Sequence, residues 1–119
     1  MSKPKVYLGG TCNNSTWREE LKPILTAVGF DWFDPVVKNW NEEARQNEIR
    51  QRKKCDICLY VITPEMTGVY SIAEAVDDSH KRPEKVMFMP VQNRGDLSFD
   101  DEQWRSLVNV SKIISKNYI

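Results

Sequence analysis

The stretch "DICLYVIT", Asp56 to Thr63, decides the fold. It is a short continuous apolar run rich in β-branched residues, the pattern of a strand buried on both faces of a sheet. Such a strand needs helices above and below it. Upstream, "NEEARQNEIRQRKKC" (41–55) predicts a mostly exposed helix with Ala44, Ile49 and Arg52 turned inward. Downstream, a helix is expected from about Gly68 to His80, followed by a strand in "EKVMFMPV" (84–91). Toward the N-terminus, "KVYLGG" (5–10) reads as a buried strand closed by two glycines. "STWREELKPILTAVGF" (15–30) reads as an amphipathic helix. Thr16 and Glu19 fit a capping box, Trp17, Leu21, Ile24, Leu25 and Val28 form its apolar stripe, Pro23 bends it and Gly29 stops it. "FDWFDP" (30–35) is a further strand. "FDDEQWRSLVNVSKIISKNY" (99–118) closes the chain as an amphipathic helix with Trp104, Leu107, Val108 and Ile114 on its apolar side.

The order is therefore β-α-β-α-β-α-β-α. Alternating strands and helices call for a parallel sheet covered on both sides. With right-handed crossovers, the economical solution is an α/β three-layer sandwich, flavodoxin-like or Rossmann-like, with four or five strands. Ligands in such folds sit at the carboxyl ends of the strands.

Composition narrows the class. The chain has 119 residues, 40% hydrophobic and 29% charged, consistent with one domain over residues 1–119. Seventeen basic residues balance seventeen acidic ones, so no global field draws it to a nucleic acid polymer or a membrane. No apolar run approaches the roughly 18 residues of a membrane span, and the basic start passes directly into a strand. A cytoplasmic protein is expected. Cys12, Cys55 and Cys58 are too few and too odd in number for a disulfide framework. With His80 as the single histidine, "CDIC" lacks the further ligands of a zinc site. Neither metal nor cofactor is expected.

The candidate chemistry rests on carboxylates. There is no phosphate-binding "GxxxxGK[ST]" loop, and one late histidine makes a nucleophilic triad improbable. Glu48, Glu74, Asp31 and Asp34 remain. Pattern alone leaves Glu74 with two readings: the partner of Ser71 in a capping box, or a carboxylate aimed at a substrate. Glu48 reads from its pattern as one more solvated charge on a helix face, as do Arg18 and "RQRKK". Gly9 and Gly10 could let a sugar approach bare backbone, or simply close a turn. Trp32 and Trp40 flank "FDPVVKNW"; core or lid packing competes with stacking on a base.

Three segments, in order along the chain, resemble the nucleoside 2-deoxyribosyltransferase family. "VYLGG" is similar to its opening strand, "NEIRQRKKCDICLYVI" to its acid-bearing helix and next strand, and "GVYSIAEAV" to the loop before its catalytic glutamate. Glu48 and Glu74 stand 26 positions apart, which resembles the spacing of the family's supporting acid and nucleophile. The resemblance implies that Glu74 is the nucleophile, Glu48 its neighbouring acid and Tyr7 a phenol orienting Glu74. Gly9, Gly10, Asp34, Trp40, Gly68 and Ser71 are expected at the substrate. A helix N-terminus would keep Glu74 ionised. The resemblance further implies a small nucleoside or nucleotide substrate and a homo-oligomer in which the C-terminal tail completes a neighbouring site. Three features depart from the family. The C-terminal "SKNYI" has no clear match to its tail. No carboxylate lies between Glu65 and Glu74 to hold the base, and position 48 carries glutamate in place of aspartate. A binding module of the same fold without turnover, or an interaction protein using its aromatics, are the competing functions.

Overall fold

Two strands at the centre of the computed structural model show why the molecule is layered; the structure describes residues 3–12 and 15–118, apart from the Tyr118 side chain. Along β1 (Lys5–Gly10) and β3 (Ile57–Ile62), successive side chains point to opposite faces. Val6, Leu8, Leu59 and Val61 face one way and pack against Trp17, Leu21 and Leu25 of α1 (Trp17–Ala27). Tyr7, Cys58 and Tyr60 face the other way and pack with Ala75 of α3 (Tyr70–Lys81) and Ile114 of α4 (Asp101–Tyr118). Both faces are therefore apolar, which explains the continuous hydrophobic run in β3.

The four main strands are all parallel in the order β2-β1-β3-β4, with β2 at Asp31–Phe33 and β4 at Val86–Pro90. The register sets Tyr7 beside Cys58 and Gly9 beside Tyr60. This is the α/β flavodoxin-like arrangement expected. The chain leaves β1 for β2 on one flank and returns through α2 (Glu42–Lys54) to β3 on the other, so strand order reverses between β1 and β3. That reversal opens a crevice at their carboxyl ends.

Several local expectations change. The Thr16–Glu19 capping box is absent: Thr16 is not extended, its hydroxyl meets Glu20 at 2.8 Å, and Glu19 pairs with Lys22. At the other end Gly29 adopts φ +93° and the Phe30 N–H donates to the Leu25 carbonyl at 2.9 Å, stopping α1 as read. Helix α2 is capped by Asn41, whose side chain accepts from the Ala44 N–H at 2.8 Å. It buries none of its residues fully. The sheet is not covered evenly either. Met87 and Met89 of β4 stand about half exposed on the α1 side, because α1 spans only part of that face.

A short hairpin, β5 (Asn93–Arg94) and β6 (Leu97–Ser98), follows the sheet and was not anticipated. Its turn uses Gly95 at φ +60°. Arg94 reaches back to Thr16 and Glu20 at the start of α1 and to Glu65 after β3, tying three segments together at the carboxyl edge. Among the described residues, no helix is long and apolar enough to cross a membrane.

Candidate active site

The crevice between β1 and β3 opens into a cavity of about 350 Å³, within the range of small-molecule sites. Its walls include Tyr7, Gly9, Gly10 and Arg18 on the β1–α1 side, and Val36, Val37 and Trp40 from the loop after β2. Glu48 of α2 and Gly68, Tyr70, Ser71 and Glu74 around the start of α3 complete it. Tyr7, Glu48 and Glu74, distant in sequence, thus share one hollow. Of the other expected positions, Gly9, Gly10, Trp40, Gly68 and Ser71 also line it.

Asp34 does not. Its carboxylate is taken up by Lys22 at 2.7 Å and by the Val36 N–H at 2.9 Å, with Arg18 at 3.6 Å. A short aspartate side chain right after an edge strand caps its own turn more readily than it reaches the cavity. Trp32 also lies outside the walls, exposed on β2 with Lys22 4.6 Å from its ring centre. Trp40, 57% exposed, stands at the mouth.

Arg18 corrects another reading. Instead of a solvated charge it is buried, donating to the carbonyls of Leu8 at 2.8 Å, Thr11 at 2.5 Å and Gly10 at 3.2 Å. The strand's last carbonyls have no strand partner beyond the sheet edge, and a five-donor guanidinium satisfies several at once. The two glycines have a structural reason as well. A Cβ on Gly9 would stand 2.6 Å from the Tyr60 ring. Gly10, at φ +114°, would place one 2.0 Å from the Val61 carbonyl oxygen.

The acidic centre is built by helical spacing. Glu74 and Asp78, one turn apart on α3, both point at the sheet. Beneath them Tyr7 and Tyr60 stand on adjacent strands, ring centres 6.0 Å apart. The Tyr60 hydroxyl donates to Asp78, which has no exposed surface. Tyr7 lies under the Glu74–Glu48 pair; burial, then the charges of Glu74 and Glu48, hold its phenol well above the ordinary range. Glu74 is 8% exposed. Burial first, then hydrogen bonding with Glu48 and the Glu48 charge, push its carboxyl up to about 9. The two acids accordingly behave as a coupled pair holding a proton between them at neutral pH.

Helix α3 begins at Tyr70 with Val69 at its cap, and no side chain caps it. Ser71 is therefore inside the first turn and Glu74 inside the second, so neither the capping box nor ionisation by the helix end applies. The positive charge near Glu74 comes from Arg52 of α2, whose Nη1 donates to Glu74 Oε2 at 3.2 Å. Asp78 grips the same guanidinium at two points, Nε to Oδ2 at 3.1 Å and Nη2 to Oδ1 at 2.9 Å. Arg82 also donates to Asp78. Only its place three residues after Ile49, on the helix face expected to turn inward, marked Arg52 in the sequence; Asp78 carried no signal.

The thiols are dispersed. Cys55 and Cys58 are buried and free, and burial raises both, Cys58 to about 12. Cys12 is exposed at the cavity wall. Among the described residues no group of three or more histidine, cysteine or acidic side chains is placed to hold a metal. The Asn117 side chain of α4 donates to Ser79 of α3 at 3.0 Å; the Tyr118 side chain and Ile119 lie outside the described residues.

A family model described as nucleoside 2-deoxyribosyltransferase like matches residues 3–93. The match spans every cavity wall and Arg52, and leaves β6 and α4 outside. No curated protein matches the chain.

Proposed function

The chain belongs to the nucleoside 2-deoxyribosyltransferase-like family, and from that premise we propose that it transfers or hydrolyses the N-glycosyl group of a small nucleoside or nucleotide. The observation that carries the reading is the convergence of Tyr7, Glu48 and Glu74 in one cavity at the β1/β3 edge.

In this mechanism the Glu74 carboxylate attacks the anomeric carbon while the C–N bond breaks. The bonding electron pair leaves with the base nitrogen, and the proton shared by the acid pair passes from Glu48 to the departing base. The product is an ester between Glu74 and the sugar. A second base, or water, then attacks the same carbon from the opposite face, gives its proton back to Glu48 and displaces the Glu74 carboxylate, so configuration is retained. Tyr7 orients Glu74 by its hydroxyl. Gly9, Gly10 and Ser71 face the sugar and Gly68 the neighbouring loop. Trp40, with Tyr70 across the mouth, offers a face to the base. We read the protein as cytoplasmic and as a homo-oligomer, the latter because α2 fully buries nothing while Trp40 and Tyr70 stand exposed beside it.

Incubation with deoxynucleosides and a free acceptor base, followed by chromatography of the bases, tests the reaction. Base release or exchange is expected, and is lost in Glu74→Ala; activity surviving that substitution overturns the assignment. The absence of a carboxylate between Glu65 and Glu74 favours one second reading, a nucleotide-binding module without turnover. Calorimetric binding with no base released after long incubation distinguishes it.

A further inference from the structure

Behind the acids of the sugar cavity lies a second hollow whose far end is cationic. It runs between α2 and α3, holds about 530 Å³, and shares Trp40, Glu48, Tyr70 and Glu74 with the sugar cavity. Its walls also include Arg45, Arg52, Lys53, Lys81 and Arg82, none of which lines the sugar cavity. We infer that this hollow, where α2 and α3 end, is a binding site for a phosphate group, separate from the sugar cavity.

Helical spacing builds the site. Arg45, Ile49 and Arg52 recur at steps of four and three along α2, as Tyr70, Glu74, Asp77 and Lys81 do along α3, so one face of each helix lines the hollow. Lys81 stands seven residues beyond Glu74, about 10 Å along the helix axis. Lys53 and Lys81 fall in the last turns of their helices. A cation there complements the helix dipole. That accounts for one cation at each helix end, but not for four from two helices on one hollow.

The chain does not consume this positive charge itself. Five cations face three acids across the hollow, and one of the acids, Glu74, keeps its proton at neutral pH. Among the described residues, the ion pairs at this end join Arg52 to Glu74, Asp77 and Asp78, Lys81 to Asp77, and Arg82 to Asp78; none involves Lys53. Arg82 donates to Asp78 through Nη2, while its Nε is buried with no acceptor among the described residues. A buried donor in that state calls for an acceptor from outside the chain. The wholly buried Asp78 grips Arg52 at two points and Arg82 at a third, so both guanidinium groups are fixed before a ligand arrives. Lys53 and Lys81 are exposed beside them. A phosphate brings several acceptor oxygens and more than one negative charge, which suits planar guanidinium donors on one side and ammonium point charges on the other. Free phosphate and a nucleotide phosphate share this chemistry, and the test separates them.

Calorimetry at fixed ionic strength measures binding of inorganic phosphate, pyrophosphate, deoxyadenosine monophosphate and deoxyadenosine to the parent protein, Lys53→Gln, Lys81→Gln and the double variant. Saturable binding of at least one phosphate-bearing probe is expected. Each single substitution should weaken it roughly tenfold, the scale of one charged hydrogen bond, and the double variant should abolish it. Lys112→Gln, at an exposed position of α4, should leave it unchanged. Binding of phosphate or pyrophosphate assigns the site to a free anion. A response confined to the nucleotide, absent with deoxyadenosine and lost in the double variant, assigns it to a nucleotide phosphate. If Lys81→Gln lowers the melting temperature, Lys53→Gln carries the measurement alone, since it breaks no ion pair among the described residues. Failure of every phosphate-bearing probe to bind, binding that survives the double substitution, or binding that Lys112→Gln weakens as much as Lys53→Gln overturns the inference. The readout is binding at walls outside the sugar cavity. A protein that binds phosphate here but releases no base therefore loses the glycosyl-transfer reading and keeps the site, and the converse result does the opposite.

Discussion

Replacing Glu74 by glutamine should change how stability depends on pH more than it changes stability itself. Folding raises the Glu74 carboxyl from its ordinary 4.5 to about 9, so the folded state holds a proton that the unfolded chain releases. Its contribution is fully present below pH 4.5 and is lost as pH rises toward 9. Each pH unit in that window costs about 1.4 kcal/mol. By pH 7 the accumulated loss is about 3 kcal/mol, a sizeable part of the 5–15 kcal/mol typical of a folded domain. Glutamine keeps the shape and a hydrogen-bond donor but never ionises, so Glu74→Gln escapes the loss. Urea unfolding, followed by tryptophan fluorescence at fixed ionic strength from pH 4.5 to 9, reads the difference. The two proteins should diverge steadily through this range, with glutamine the more stable at the alkaline end. Because the titration belongs to the pair, Glu48→Gln should flatten the parent's slope as well. Parallel stability curves for parent and Glu74→Gln would refute the reasoning, since the carboxyl would then ionise in the fold as readily as in water.

Other substitutions separate packing from chemistry. Tyr7→Phe keeps the ring stacked 5.9 Å from Phe33 and removes only the hydroxyl beside the acids; base release should fall roughly 10- to 100-fold, the range for a hydrogen bond to a charged group, with the melting temperature little changed. Trp40→Ala should leave stability within about 0.5 kcal/mol, as at other exposed sites, while weakening nucleoside binding several-fold in calorimetry; unchanged binding places the base elsewhere. Gly10→Ala meets the Val61 backbone in a left-handed conformation and should destabilise by more than about 2 kcal/mol in denaturant titration.

The sheet and its helices were legible because their signals are local. A doubly buried strand must be apolar at every position, a helix stripe must repeat every three to four residues, and Gly29 is needed where a helix ends in a left-handed turn. Tyr7, Glu48 and Glu74 could be named from the family resemblance, which says nothing about which groups surround them. The caps failed for a related reason: the pattern at Ser71 and Glu74 fits a capping box, but packing starts α3 at Tyr70 and moves both residues past the cap. The hairpin after β4 was missed because two-residue strands carry almost no periodicity.

Sequence by itself determined the layered α/β architecture and put a strand end, a glycine pair and two acids within reach of one edge, because backbone periodicity and strand order follow from short-range pattern. Only tertiary structure decided the electrostatics. Arg18 became a buried clasp, Asp34 was drawn to Lys22, and Arg52 came to lie between Glu74 and Asp78. Each of those outcomes depends on burial and on partners 7 to 26 residues away, and a charged residue in a sequence carries no mark of the dielectric or the counter-charge it will meet.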